Sequence, residues 1–340
     1  MRPNLRSLLC GAAVAAFVIA PTVSGFGQTP HPPAPPAPAA MPHMPAPPAP
    51  PAPHDGSWMV APVRTFNTTS VKLEDIVGSL TVAVKDSGPM TVEVSGVPQR
   101  VKRVHVEQDD GHLSVDGASD EEDDHSVWDW KNWFNFSNLD YDHHGTLFVK
   151  VTVPRGAEVR VEDLVGEATI GDTMGALHLD AAATKAHIGK VESAKISIGG
   201  SGRIDIASVQ NNLDLDSGGS GRVTVGSAGN VKADIAGSGD AHFGPIAGGL
   251  SVDIAGSGDV TAARVNGPVR VEIAGSGNVH VADGIANPLH VEIMGAGNLF
   301  FGGVAVDPHI EAVGSGTVRI KSYRGHMSSE GMADVKVGGE

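Results

Sequence analysis

GSGDAHFGPIAGGLSVDIAGSGDVTAARVNGPVRVEIAGSG, residues 237–277, states one pattern twice and opens a third copy. A Gly-Ser-Gly unit, once Gly-Ala-Gly, starts at Gly200, Gly219, Gly237, Gly256, Gly275, Gly295 and Gly314, at intervals of 19, 18, 19, 19, 20 and 19 residues. The second glycines fall at Gly202, Gly221, Gly239, Gly258, Gly277, Gly297 and Gly316, each followed by a polar residue. A degenerate copy, Ala181-Ala182-Ala183, precedes Gly200 by the same interval. Self-similarity at such a period is the mark of a stacked repeat.

Within each repeat the apolar residues alternate. Leu250, Val252 and Ile254 lead into one glycine unit, and Val260 and Ala262 lead out of it. Ser, Asp, Arg, Glu and His stand between such positions. Period two is the pattern of a strand with one buried and one wet face. A second break follows at Gly248-Gly249, Asn266-Gly267-Pro268 and Asn287-Pro288. Each repeat therefore reads strand, turn, strand, glycine turn. One such unit cannot bury its own apolar face, whereas stacked copies share a continuous core. The expected fold is all-β: a right-handed parallel β-helix with rungs of about 19 residues. The structural turn glycines follow, because a turn stacked on its own copies leaves little room for Cβ.

The first half is β-rich without the regular period. Residues 71–82 (VKLEDIVGSLTV) resemble residues 159–170 (VRVEDLVGEATI), with [LV]-E-D-[IL]-V-G in common. Further strands are expected at 90–96, 101–107, 112–116 and 146–153, and no helix after the N-terminal segment. Pro154 and Gly156 mark the passage into regular rungs.

With these features the chain resembles the GIN-domain family, also called putative autotransporter adhesin head domains. The carrying residues are the turns Gly237–Asp240, Gly256–Asp259, Gly275–Asn278 and Gly295–Asn298 and the irregular strands before Pro154. The likeness runs over roughly residues 65–325. It implies a parallel β-helix in an exported bacterial protein, a domain of unknown function, and supplies no catalytic residues. About fifteen residues, from Gly325 to Glu340, follow the last rung, so no translocator barrel of many ten-residue strands is expected.

The organisation expected from the N-terminus starts with an export signal. Arg2 and Arg6 precede an apolar run from Leu8 to Ala20, which reads as a signal peptide within residues 1–28. Cys10, the sole cysteine, lies inside that run. A processed chain would have no disulfide and no thiol nucleophile. Contact with a membrane is expected only through this segment, if it stays uncleaved. Residues 29–56 form a Pro/Ala-rich linker. Pro fixes φ and lacks a donor, so this stretch is expected as an extended spacer reaching roughly 70 Å at about 3.1 Å per residue. Residues 57–155 form the irregular β region, 156–325 the β-helix and 326–340 a tail.

The net charge of −15 argues against nucleic acid, whose affinity depends on Lys and Arg at phosphates. Residues 106–145 hold twelve Asp or Glu against one Lys, Lys131. Inside that stretch, the insert 120–144 gathers Trp128, Trp130, Trp133, Phe134 and Tyr141 beside Asp140 and Asp142 in a chain with only 4% aromatics. Rings stack on sugar faces and carboxylates accept hydroxyl bonds. Trp and Tyr also anchor protein interfaces. The insert is thus the candidate contact region for a glycan or an envelope protein. The plainer alternative is a hairpin packed on the solenoid. Its acids and His125, His143 and His144 lack the EF-hand spacing, and no defined metal site is expected. The GSGD turns carry Asp at the wrong place, and too rarely, for calcium nonapeptide repeats.

No cofactor or catalytic residue is indicated. G-x-S-x-G, H-E-x-x-H and Cys-His patterns are absent. The expected function is that of a non-enzymatic cell-envelope scaffold or binding protein, exported to the periplasm or the cell surface. The alternative is a carbohydrate-active β-helix enzyme, a lyase or hydrolase, which would need clustered carboxylates or a Lys/Arg base beside a groove. Outward residues such as Asp234, Asp253, Arg270, Glu272 and Glu292 read as mixed charge rows. The oligomeric state is not legible.

Overall fold

The computed structural model describes residues 58–109, 111–117, 147–331 and 334–338. The signal segment, the linker and the insert 120–144 lie outside the described residues. What is described is a β-solenoid of about nine turns, with parallel coils of about 19 residues.

The regular stack begins at Glu158–Ile170 and climbs in chain order. Leu250 stands on Val269, Val252 on Val271 and Ile254 on Ile273, so residues of one kind pile up along the axis. All six are at most 2% exposed. The alternation in the sequence becomes inward rows of Val, Ile and Leu, with outward rows of polar residues between them. At the second break the chain bends without leaving the ladder. The strand Asp259–Gly275 runs through Asn266-Gly267-Pro268, where its pairing shifts register between Gly267 and Val269.

The glycine turns stack directly. The Ser257 amide donates to the Gly237 carbonyl at 2.8 Å, and the Ser276 amide to the Gly256 carbonyl at 2.8 Å. Gly256 has φ +144°, and a Cβ there would fall on the Gly237 carbonyl oxygen. At Gly258 a Cβ would lie 2.5 Å from the Gly239 oxygen and 2.8 Å from Ile235 Cγ2. The space that a side chain would need holds the backbone of the coil below. Below Gly200 the turn is made by the alanine copy, and the Gly199 amide donates to the Ala181 carbonyl at 3.1 Å.

The N-terminal end is built differently. Its elements are β1 (Met59–Val60), β2 (Arg64–Phe66), β3 (Ser70–Glu74), β4 (Val77–Lys85), β5 (Met90–Gly96), α1 (Pro98–Arg103), β6 (His105–Asp109), β7 (His112–Asp116) and β8 (Leu147–Pro154); β9 is Glu158–Ile170. β3 and β4 form a coil that stacks in parallel on β9, with Val71 on Val159 and Gly78 on Gly166. The two copies of the E-D-[IL]-V-G motif are thus neighbours in space. Asp75 and Asp163 both turn the corner with positive φ, 52° and 53°. β7 and β8 form the next coil outward, parallel to β3 and β4. The chain therefore lays its second coil outside its first. Antiparallel strands close the end: β6 on β7, β5 on β8, and β1 and β2 on β5. Such a cap covers backbone groups that a bare coil would leave open.

Two expectations need correction. The strand at 101–107 is instead α1 followed by β6, and α1 is a helix where none was expected. Pro98 occupies the first turn, where its missing N–H costs nothing. Arg100, Lys102 and Arg103 sit in the last turn, favourable to the helix dipole. Val101 is its buried residue. Val101 and Val104 are three apart, a helical spacing that the alternation Val104-His105-Val106 obscures. At the other end, Ser328–Gly331 and Asp334–Val337 continue the parallel stack within the stretch set apart as a tail.

Candidate binding site

The solenoid offers two outward strand faces, one before each glycine turn and one after it. On the face before the turn, Asp180, Ser197, Asp216, Asp234, Asp253, Glu272, Glu292, Glu311 and Glu330 pair in succession from coil to coil. Coils in register lie about 4.8 Å apart, so like charges at this spacing repel. Two residues earlier on each strand runs a second row with Lys195, Lys232 and Arg270 among its members. Basic members of the second row offset part of this charge. Lys232 reaches Asp234 at 2.5 Å, Arg270 bonds Glu272, and His309 bonds Glu311 at 2.9 Å. The same arrangement closes on the head coil, where Lys72 pairs with Glu74 and with Glu162 at 3.0 Å. Hydrogen bonding to Glu74 raises the Lys72 pKa, and hydrogen bonding to Lys72 lowers that of Glu162. Asp253 is held above the usual carboxylate range, first by burial and then by Glu272 and Asp234.

The face after the turn carries amides, hydroxyls and rings. Asp259, Asn278, Asn298 and Thr317 stack in register. Asn278 Nδ2 donates to Asp259 Oδ1 at 2.8 Å, and Asn298 Nδ2 to Asn278 Oδ1 at 2.9 Å. The Thr317 amide donates to Asn298 Oδ1 at 3.1 Å. The neighbouring row runs His242, Thr261, His280, Phe300, Arg319 and Lys336. His242 Nδ1 and Thr261 Oγ1 share a hydrogen bond of 2.7 Å. The His280 and Phe300 rings stack at 4.7 Å, 12° from parallel.

At the C-terminal end this face opens into a groove of about 780 Å³, lined by Ala282, Phe300, Gly302, Arg319, Ile320, Lys321, Lys336 and Gly338. A second depression, about 390 Å³, adjoins it over Asn278, Asn298, Thr317 and His280 and shares Phe300 and Arg319. Ala282 and Gly302 contribute no side chain beyond Cβ to its wall. Phe300 is 38% exposed. Lys336 pairs with Asp334 at 2.5 Å. Among the described residues, Arg319 and Lys321 have no carboxylate partner.

The aromatic candidates Trp128, Trp130, Trp133, Phe134 and Tyr141, with Asp140 and Asp142, lie outside the described residues. In sequence they lie between Gly117, whose amide donates to the Glu74 carbonyl at 2.9 Å, and Leu147, in register with Gly78. Phe300 escaped notice because Phe301 beside it is a proper inward residue, 0% exposed. A signal was present: at the outward position the other coils carry His242, Thr261, His280 and Arg319, and Phe300 is the apolar exception.

Among the described residues no group of three or more His, Cys, Asp or Glu could hold a metal ion. Among them, too, no helix is long and apolar enough to cross a membrane. Residues 72–284 match the family model described as "Putative auto-transporter adhesin, head GIN domain". Among solved structures, the chain is similar to a putative adhesin from Parabacteroides distasonis (20% identity, 84% of this chain and 97% of that one, TM-score 0.40). It is also similar to a putative adhesin from Parabacteroides merdae (15%, 84% and 96%, 0.33). A third is a putative lipid binding protein from Parabacteroides distasonis (12%, 84% and 97%, 0.33). No curated protein matches the chain.

Proposed function

Because the chain belongs to the family described as "Putative auto-transporter adhesin, head GIN domain", we propose that it is an exported, adhesin-like protein of the cell envelope that binds a glycan surface and does not catalyse. The observation that carries this reading is the groove beside Phe300. It joins an exposed ring, two stacked asparagines and unpartnered cations on one flat face. Rings and amides of that kind hold sugars through stacking and hydroxyl bonds.

A hydrolase would use a pair of carboxylates flanking the bond. Among the described residues, those lining the groove include no Asp or Glu. A lyase would need a Lys or Arg base such as the groove's Arg319, Lys321 or Lys336 could supply. Release of unsaturated products from an acidic polysaccharide is therefore the result that overturns the non-catalytic reading. The long carboxylate row lies on the other strand face, where Lys232 pairs with Asp234 and Arg270 with Glu272. Its regularity suits a rigid shaft better than a reacting centre.

The test is protease accessibility on intact cells carrying a C-terminal tag, combined with fractionation. Cleavage in intact cells supports display at the surface. Protection until the outer membrane is opened places the protein in the periplasm and removes the adhesin reading. The search would then turn to envelope glycans and envelope proteins.

A further inference from the structure

We infer that the Phe300 groove takes an acidic polysaccharide, with a sugar carboxylate held between Arg319 and Lys321; this rests on the glycan-binding reading above. The first ground is charge. Arg222, Arg264 and Arg270 each hold a carboxylate, at 2.8 Å from Asp240, at 2.5 Å from Asp283 and in contact with Glu272. Arg319 and Lys321 hold none among the described residues, yet both wall the groove. Arginine's planar fork matches a carboxylate, and lysine adds a point charge beside it.

The second ground is the apolar floor. His280 covers one face of Phe300. The other face is turned toward the coil of Arg319, which follows Phe300 in register. A pyranose laid there places its C–H face on the ring and its carboxylate at the cations. The third ground is repetition. Asn278, Asn298 and Thr317 present polar groups at successive coils, spaced by about 4.8 Å.

The protein's net charge of −15 repels polyanions at long range, so affinity for one has to come from a local site. The full-length protein is to be titrated onto immobilised polygalacturonate, dextran sulfate and neutral dextran. Polygalacturonate should bind at least about tenfold tighter than dextran, a difference that one charged contact supplies. Arg319→Gln with Lys321→Gln should weaken it at least about tenfold. Phe300→Ala should weaken it by about three- to tenfold, and Arg270→Gln on the other face should leave it unchanged. Unaltered circular-dichroism melts show that the variants fold.

Equal binding of dextran, or full binding by the folded double variant, overturns the inference. So does binding of dextran sulfate alone, which would assign the cations to sulfate. If the protein attaches to cell surfaces but not to polygalacturonate, the acidic-sugar assignment falls and the adhesin reading stands. If it attaches to neither, both fall.

Discussion

The two ends of the solenoid are built to the same pattern by different chain paths. From Glu158 onward each coil is laid on the one before it, and from Gly200 the glycine unit returns at every turn. In the head, the coil of β3 and β4 is laid first, the coil of β7 and β8 is placed outside it, and β9 returns to the inner side. The inner rows continue across this rearrangement: Val71, Leu73, Val159 and Val161 are all 0% exposed. Periodicity in a sequence therefore records the order in which coils are laid, whereas stacking needs only matching shapes.

The largest effect should separate glycines that carry a stacked turn from glycines that do not. Gly256→Ala forces a side chain into positive φ and onto the Gly237 carbonyl. A loss of about 3–4 kcal/mol in urea unfolding is expected. Gly199 has open space around its missing Cβ, and Gly199→Ala should stay within about 0.5 kcal/mol of wild type. Equal effects would break the stacked-turn explanation.

Next comes the insert. Asp75-Ile76-Val77 joins Glu74 to Gly78, and Asp116 and Leu147 stack on those two residues. Replacing residues 117–146 by Asp-Ile-Val should thus restore a plain coil. Shortening the connection that far should raise stability by about 1–2 kcal/mol. A protein that no longer folds would show that the head depends on the segment between β7 and β8.

A smaller effect comes from the corner that both motif copies share. Burial, then Asp116 and Asp163, push the Asp75 carboxyl up. A raised carboxyl favours the folded state only while protonated, and that contribution is lost as pH rises through its folded pKa. Asp75→Asn also suits positive φ. It should raise the melting temperature by about 1–3 °C at pH 7, and the gain should vanish below about pH 4. The smallest effect is expected at Arg270→Gln, an exposed pair contributing about 0.5 kcal/mol or less and weakening with salt.

The regular stack was legible because Gly, alternation and spacing all report one geometry. The E-D-[IL]-V-G copies were legible too, as an echo, but nothing in the residues between them says that the copies touch. That is a statement about chain path, which local pattern does not carry. α1 was missed because six residues are less than two turns, too few for a helical period to outweigh a nearby Val-His-Val alternation. Of the binding groove, the amide row was visible as the polar residue after each glycine unit. Phe300 was hidden by its inward neighbour Phe301, and the partnerless state of Arg319 depends on what the adjacent coils place beside it.

A coil in the regular stack meets its neighbours through the same rows above and below, and the Gly256 coil could stand where the Gly275 coil stands. The protein is then a ruler graduated in single repeats. Copying the segment from Gly256 to Ala274 in tandem would lengthen it by about 4.8 Å and carry every inward and outward row across the join. Reach can be tuned a step at a time, with the head and the groove left as they are at either end.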